Sequence, residues 1–157
     1  MSKAIDALNE KIGHQSVTGT HTFGREEIVA FASKFDPQPF HLDEEAARNS
    51  LFGGLCASGW HICSVWMKLR IANRSLLEDL AGPDHGLTYG PSPGIRDLRW
   101  HSPVFVDDTI TFTTTFTGAR LSEKRANWGL LTTSERGEDA DGRLVLTMNN
   151  AVTLRLG

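Results

Sequence analysis

The sequence predicts an α+β domain in which one long buried helix packs against about five antiparallel strands. The helix is expected over residues 59–80, because residues 60–69 are mostly apolar and a helix that is apolar nearly all round is a buried one. The strands are predicted by the alternation of apolar residues with threonines over residues 110–117. Asp141-Gly142 then indicates a tight hairpin between the last two strands.

Length and composition favour a single globular domain covering residues 1–157. The chain has 157 residues, of which 39% are hydrophobic and 22% charged, as in an ordinary soluble protein. Its net charge of −3 and the absence of a basic block argue against nucleic acid as a partner. No apolar stretch approaches the length of a membrane span, and the first residues lack the pattern of a secretory signal.

The two cysteines predict a reducing compartment. Cys56 and Cys63 have neither a metal-ligand nor a redox spacing, and Cys63 is expected to fill space in the helix. The sequence therefore predicts a reduced, cytoplasmic protein.

A stiff loop carries the first candidate site residues. Asp36 and His41 are separated by four residues, and two of these, Pro37 and Pro39, restrict their own backbone and that of the residue before them. An acid and a histidine on such a loop can converge on one point. The alternative is that Asp36 only ends a helix and that His41 is an exposed loop side chain.

The start of the long helix supplies a candidate oxyanion site. Ser58 is a suitable N-cap, and the first N–H groups of a helix lie unpaired at its positive dipole end. Gly59 has no side chain, so a substrate carbonyl could approach its N–H closely. The alternative is that this glycine serves only turning and close packing. We interpret His61 as a packing histidine with satisfied polar atoms, not as a second base.

These residues resemble the MaoC-like dehydratases, which include the (R)-specific enoyl-CoA hydratases and carry an Asp-x-Asn-Pro-x-His loop before a glycine-opened helix. Asp36 and His41 match the family's catalytic pair, and Gly59 matches its carbonyl-binding glycine. Ser64 matches a serine that some members place further into the helix, where it is expected to orient substrate. Gln38 departs from the pattern, since the family often has Asn there, and is assigned the same orienting role.

The resemblance implies the hot-dog fold, in which an antiparallel sheet wraps a long central helix, and usually a homodimer. Residues 103–109 resemble the family's Pro-Val-x-x-Gly-Asp-Thr turn, with Asp107 at the glycine position. The implied reaction adds water to a trans-2-enoyl thioester, or removes it from an (R)-3-hydroxyacyl thioester, of CoA or an acyl carrier. It needs neither a metal nor a redox cofactor. Two alternatives remain open: a hot-dog acyl-CoA thioesterase and a non-catalytic acyl-CoA-binding module.

The remaining elements follow from local patterns. Residues 16–23 predict a strand, residues 26–34 a helix that leads to Asp36, and residues 43–47 a short helix capped by Asp43. Leu51 and Phe52 are candidates to cover an acyl pocket or simply to pack. Residues 81–94, rich in glycine and proline, predict a long loop that borders the pocket or a partner. The solvated end of the long helix is expected to carry four charged residues: Arg70, Arg74, Glu78 and Asp79.

Overall fold

The computed structural model describes residues 3–73 and 75–157. Its helices are α1 (Lys3–Asn9), α2 (Arg25–Phe35), α3 (Pro39–Leu42), α4 (Glu44–Arg48), α5 (Gly59–Ala72) and α6 (Ser75–Ala81). Its strands are β1 (Gln15–Thr22), β2 (Thr88–Tyr89), β3 (Gly94–Trp100), β4 (Thr109–Leu121), β5 (Trp128–Glu138) and β6 (Leu144–Arg155). No helix within the described residues is long and apolar enough to cross a membrane.

The strands form one antiparallel sheet of six strands, in the order β1-β4-β5-β6-β2. Strand β3 also pairs with β6, alongside the short strand β2. Strands β4 and β5 alternate between buried and partly exposed residues along most of their length, as a sheet covered on one face requires. The predicted hairpin is present, and Gly142 adopts a left-handed φ of 80° in its turn.

Helix α5 lies against the covered face of this sheet. Its buried residues Ile62, Val65 and Trp66 join the main hydrophobic core together with residues of β4 and β6. The indole N–H of Trp66 donates to the buried carboxylate of Glu135 in β5 at 3.2 Å, so the helix is also tied to the sheet by a polar contact. The prediction of a buried helix packed on an antiparallel sheet is confirmed.

The long helix is shorter than predicted. Helix α5 ends at Ala72, and Asn73 has an extended backbone with φ −102° and ψ 97°. The Asn73 amide donates to the Val17 carbonyl at 3.0 Å, and its Oδ1 accepts from the Ser75 N–H at 3.2 Å. Asn side chains that bond to nearby backbone compete with the helix, which stops here and restarts as α6. Arg74, assigned to the solvated end, lies outside the described residues.

Other local predictions have mixed outcomes. Asp107, at the family's glycine position, has a left-handed φ of 67°, which explains why glycine suits that position. The loop predicted over residues 81–94 contains the short strand β2. Helices α1 and α3 were not predicted. Asn150, which interrupts the apolar pattern of β6, is buried and lies 3.5 Å from the Ser92 hydroxyl.

Candidate active site

The structure brings the predicted acid and histidine together. Asp36 is the C-cap of α2, and Oδ2 of its carboxylate lies 3.4 Å from Nε2 of His41. His41 belongs not to a loop, as predicted, but to the short helix α3. Pro39 occupies the first turn of α3, where its missing N–H costs no helical hydrogen bond, and Gln38 keeps the extended backbone expected before a proline.

The orientation of the His41 ring is set by a backbone carbonyl. Its Nδ1 lies 2.7 Å from the carbonyl oxygen of Cys56, and the residue is only 5% exposed. A carbonyl oxygen can only accept, so Nδ1 carries the hydrogen in this contact. In the neutral ring Nε2 is then the free acceptor and faces Asp36. His41 is therefore arranged to take up a proton on the side where the carboxylate lies.

Two side chains hold the Asp36 carboxylate. The Ser58 hydroxyl donates to Oδ2 at 2.7 Å, and the Gln38 amide donates to Oδ1 at 2.6 Å. Burial acts to raise the pKa of Asp36, but these two hydrogen bonds and the nearby His41 hold it below the ordinary value. Asp36 is consequently a carboxylate at neutral pH. Gln38, predicted to orient substrate, contacts the Asp36 carboxylate directly in this structure.

Ser58 is a site residue that sequence reasoning missed. It was expected only as the N-cap of α5, a role it fills by accepting from the Trp60 N–H at 3.3 Å. Its hydroxyl is fully buried and also reaches Asp36, 22 positions earlier in the chain. Its position directly before Gly59 was the only hint of this role in the sequence, because the sequence does not show which side chain the Ser58 hydroxyl contacts.

Gly59 is the first residue of α5, so its N–H has no acceptor within the helix. The space beyond its Cα is occupied by Trp100. A Cβ at Gly59 would stand 2.7 Å from Cδ2 of that indole and closer still to Cε2, and the indole N–H donates to the Gly59 carbonyl at 3.1 Å. Packing against Trp100 thus requires a residue without a side chain at position 59, which is the alternative role stated above for this glycine. The N–H itself stays available as a candidate donor.

Ser64 does not join the other predicted site residues. It is exposed on α5, and its hydroxyl donates to the carbonyl oxygen of Trp60 at 2.7 Å. It is absent from the cavity that contains Asp36 and His41. The bond to the preceding turn accounts for its hydroxyl without any contact to the pair.

The cavity around the pair has a volume of about 380 Å³ and mostly apolar walls. Phe52 lines it, as predicted for a pocket-covering residue, whereas Leu51 is 98% exposed. A planar unsaturated group could lie between the aromatic walls with its reacting carbon near the acid and the histidine. The lining residues are Asp36, Gln38, Phe40, His41, Phe52, Cys56, Ala57, Gly59, Trp60, Ile62, Trp100, His101, Ser102 and Pro103.

The cysteine in this cavity is not a nucleophile at neutral pH. Sγ of Cys56 lies 3.8 Å from Nδ1 of His41, but burial raises the pKa of the thiol to about 11. The thiol therefore stays protonated. Within residues 3–73 and 75–157, no group of three or more His, Cys, Asp or Glu side chains is arranged to hold a metal ion.

Comparison with known proteins identifies the family. A sequence profile described as the MaoC-like domain matches residues 6–135. The uncharacterized protein YdeM of Bacillus subtilis is 30% identical over 100 residues, which cover 63% of this chain and 64% of that protein. The alignment thus spans less than two thirds of this curated relative.

Solved structures extend the likeness over nearly the whole chain. The MaoC-like dehydratase from Rhodospirillum rubrum is 32% identical, with a TM-score of 0.77 and 93% of each chain covered. The (R)-hydratase from A. caviae, described as involved in PHA biosynthesis, is 25% identical, with a TM-score of 0.62 and coverage of 93% of this chain and 96% of that one. The hot-dog fold expected from the sequence is confirmed, and the chain belongs to the MaoC-like dehydratase family.

Proposed function

We propose that this protein is an enoyl-thioester hydratase, acting reversibly as a 3-hydroxyacyl-thioester dehydratase. The observation that carries the proposal is the Asp36–His41 pair, with Oδ2 and Nε2 3.4 Å apart at the wall of an apolar cavity. This separation lets both atoms contact one water molecule, with Asp36 ionised and Nε2 of His41 free to accept. Membership of a family that includes hydratases and dehydratases supports the same reaction class.

In the proposed reaction the pair removes a proton from water while the water oxygen bonds to C3 of a trans-2-enoyl thioester. The electron pair of the C2–C3 double bond moves onto the thioester oxygen, and the Gly59 N–H donates to that oxygen. The pair then returns a proton to C2, so it ends in its starting protonation state. Positioned acids and bases typically contribute roughly 10²- to 10⁴-fold each. The scheme draws on no metal and no redox cofactor.

The substrate is proposed to be a CoA thioester, with an acyl-carrier thioester as the second candidate. An apolar cavity of about 380 Å³ suits the acyl group and the thioester. The charged part of CoA would lie outside this cavity, where its phosphates need cationic side chains. Arg96 and Arg99 on the exposed strand β3, which leads directly into the cavity-lining residues, are candidates for that contact.

The reaction is tested by incubating the purified protein with a short trans-2-enoyl-CoA while following enoyl absorbance and free thiol in parallel. Hydration predicts loss of absorbance without release of thiol. Thiol release in step with the absorbance change would identify a thioesterase and reject the proposal. Tight binding with neither change, over a range of acyl lengths, would identify a binding module.

We also propose a homodimer, in agreement with the usual state of the resembled family. Helix α5 exposes Trp60, Met67 and Ile71, which recur at helical spacing along one face with the small Ser64 between them. Strand β3 also exposes the apolar residue Ile95. An apolar face of this kind is typical of a surface that packs against another chain. Light scattering at micromolar concentration is expected to give twice the monomer mass, and a monomer mass would contradict this proposal.

A further inference from the structure

A second histidine contacts a carboxylate outside the cavity. Nε2 of His61, in the first turn of α5, lies 3.4 Å from Oε2 of Glu27 in α2. Glu27 is held firmly at the start of its own helix, because its Oε1 accepts from the Gly24 N–H at 2.8 Å and His21 Nε2 lies 2.9 Å from its Oε2. Burial raises the pKa of Glu27, but these contacts outweigh it and keep the pKa below the ordinary value. The cluster therefore presents an anchored carboxylate to His61.

Packing alone does not account for a histidine at position 61. The residue is 6% exposed, and its ring stacks on that of Phe31 with 4.8 Å between the ring centroids. It also packs edge-on against Phe23, with 5.2 Å between the centroids. Its Nδ1 is buried and has no hydrogen-bond partner among the described residues, contrary to the satisfied packing role expected from the sequence. A buried polar atom without a partner lowers stability, and a phenylalanine would avoid that cost. The histidine adds one thing that phenylalanine cannot, which is the Nε2 contact with Glu27.

The protonation state of the ring fits this contact. Burial lowers the pKa of His61, against the opposing effect of Glu27, so the ring is neutral at neutral pH. The Glu27 carboxylate can only accept, so the hydrogen of the neutral ring lies on Nε2. Within the described part of the chain, two charged or titratable groups face this ring: Glu27, and His21, which contacts the same carboxylate. His61 is thus a fixed donor to an anchored acceptor.

The first turn of α5 meets α2 at two places. His61 contacts Glu27 in the first turn of α2 and Phe31 past its middle, and Ser58 contacts Asp36 at its end. Glu27 and Asp36 are about 14 Å apart along the helix at 1.5 Å per residue. Two contacts so far apart fix both the sliding and the tilt of α2 relative to α5. The 2.7 Å bond from Ser58 to Asp36 tolerates little displacement of either helix.

We propose that Glu27 and His61 are positioning residues, whose contact holds α2 against the start of α5 and thereby sets the hydrogen bond from Ser58 to Asp36. Neither residue lines the cavity, so neither touches substrate. The kinetic part of this inference rests on the proposed function. The structural part does not, because the state of the Asp36 carboxylate can be measured without any turnover.

The test is His61→Phe, which keeps a ring on Phe31 and removes the N–H. The pKa of Asp36, read from the ¹³C signal of its carboxyl group over a pH titration, is expected to rise, since displacement of Ser58 removes a bond to the charged form. The expected kinetic effect is a fall of roughly 10- to 100-fold in kcat with little change in KM. His61→Gln, which restores a side-chain N–H, is expected to recover part of both effects.

His14→Phe is the matched control, because it removes another histidine–carboxylate contact, the 3.5 Å pair with Asp79, away from the cavity. It is expected to leave the Asp36 titration unchanged. A folded His61→Phe protein with the wild-type Asp36 titration overturns the positioning proposal. If His61→Phe shifts the Asp36 titration but the wild-type protein shows no hydratase activity, positioning is supported and the proposed function is rejected.

If His61→Phe does not fold, Glu27→Gln serves in its place, because glutamine keeps the size of Glu27 and an acceptor for the Gly24 N–H. The same rise in the Asp36 pKa is expected, with a smaller amplitude. An unchanged titration in this variant overturns the proposal equally.

Discussion

Two regions of this protein contain nearly the same contact and differ in what they can do with it. His41 and His61 are 5% and 6% exposed, and each places Nε2 3.4 Å from a carboxylate oxygen, of Asp36 and Glu27 respectively. Nδ1 of His41 meets the Cys56 carbonyl, so its Nε2 is left as an acceptor. Nδ1 of His61 meets nothing among the described residues, and because the Glu27 carboxylate can only accept, the single hydrogen of its ring lies on Nε2.

The difference shows that separation and burial alone do not identify a catalytic pair. The partner of the second ring nitrogen decides whether Nε2 can take a proton, and the neighbouring space decides whether a substrate can reach it. His41 lines a cavity of about 380 Å³, whereas His61 is enclosed by Phe23 and Phe31. We therefore assign chemistry to the first pair and positioning to the second.

The largest effect is expected at the first pair. Asp36→Asn and His41→Ala should each lower kcat for hydration by roughly 10²- to 10⁴-fold, because each removes a group that handles the proton of water. His61→Phe should lower kcat by less than either of these changes. Steady-state kinetics beside thermal melts measures this order. Near-wild-type turnover in either variant of the first pair, with the fold intact, would remove the assignment.

The next largest loss of activity is expected at Gly59 in the wall of the cavity, because the Glu27–His61 pair has no such cavity beside it. Gly59→Ala would drive its Cβ into the ring of Trp100, so activity should fall roughly 10- to 100-fold as the helix start or the indole shifts. Trp100→Ala opens that space, and the double variant should therefore be more stable than the sum of the two single changes implies. Thermal melts of the four proteins measure the coupling. Strict additivity would show that the indole does not pack on Gly59 in solution.

A smaller effect is expected from Ser58→Ala. This change removes one hydrogen bond to the charged form of Asp36, so its pKa rises and the acid limb of the pH–rate profile moves to higher pH. Asp36 is needed ionised, so activity at a fixed acidic pH falls. Loss of the helix cap adds about 1 kcal/mol of instability. An acid limb identical to that of wild type would show that Ser58 does not act on Asp36.

The same linkage predicts a change in stability with pH. The folded pKa of Asp36 is depressed, so its contribution to stability is fully present above the pKa of the unfolded chain and is lost as pH falls through the folded value. Ser58→Ala raises the folded pKa of Asp36 and so narrows the difference between its folded and unfolded pKa. Its stability should therefore fall less steeply than that of wild type in acid, which urea unfolding at a series of pH values measures.

The smallest effect is expected from Ser64→Ala, which serves as the contrast to Ser58→Ala. Both serines lie near the start of α5, but the Ser64 hydroxyl only bonds to the carbonyl of Trp60. Such bonds to the preceding turn add little to helix stability. The catalytic cost should therefore fall below about 1 kcal/mol, the net worth of an ordinary hydrogen bond. A loss comparable to that of Asp36→Asn would mean that Ser64 reaches substrate in a way this structure does not show.

The sequence alone was sufficient to predict the elements whose signal is local. Proline geometry allowed Asp36 and His41 to converge, the resemblance to the MaoC-like family identified them as a pair, and the alternation of apolar residues indicated the strands. Asp107 stands at a glycine position of the resembled turn, and the structure gives it a left-handed φ of 67°, a conformation that glycine adopts readily. Each of these signals lies within a few residues of the feature that it predicts.

What could not be predicted depends on contacts between distant parts of the chain. The bond from Ser58 to Asp36 and the cover of Trp100 over Gly59 join residues 22 and 41 positions apart. The end of α5 was missed for the same reason, because Asn73 bonds to Val17 of β1. Residue type gives no information about such partners.

The central claim is that Asp36 and His41 act as one unit on a single water molecule. The most direct test is kcat/KM for hydration of a short trans-2-enoyl-CoA by wild type, Asp36→Asn, His41→Ala and the double variant. Residues that act as a unit give strongly non-additive losses. The account predicts that the double variant is about as slow as the slower single variant. Losses that multiply would show two independent roles and would contradict the claim.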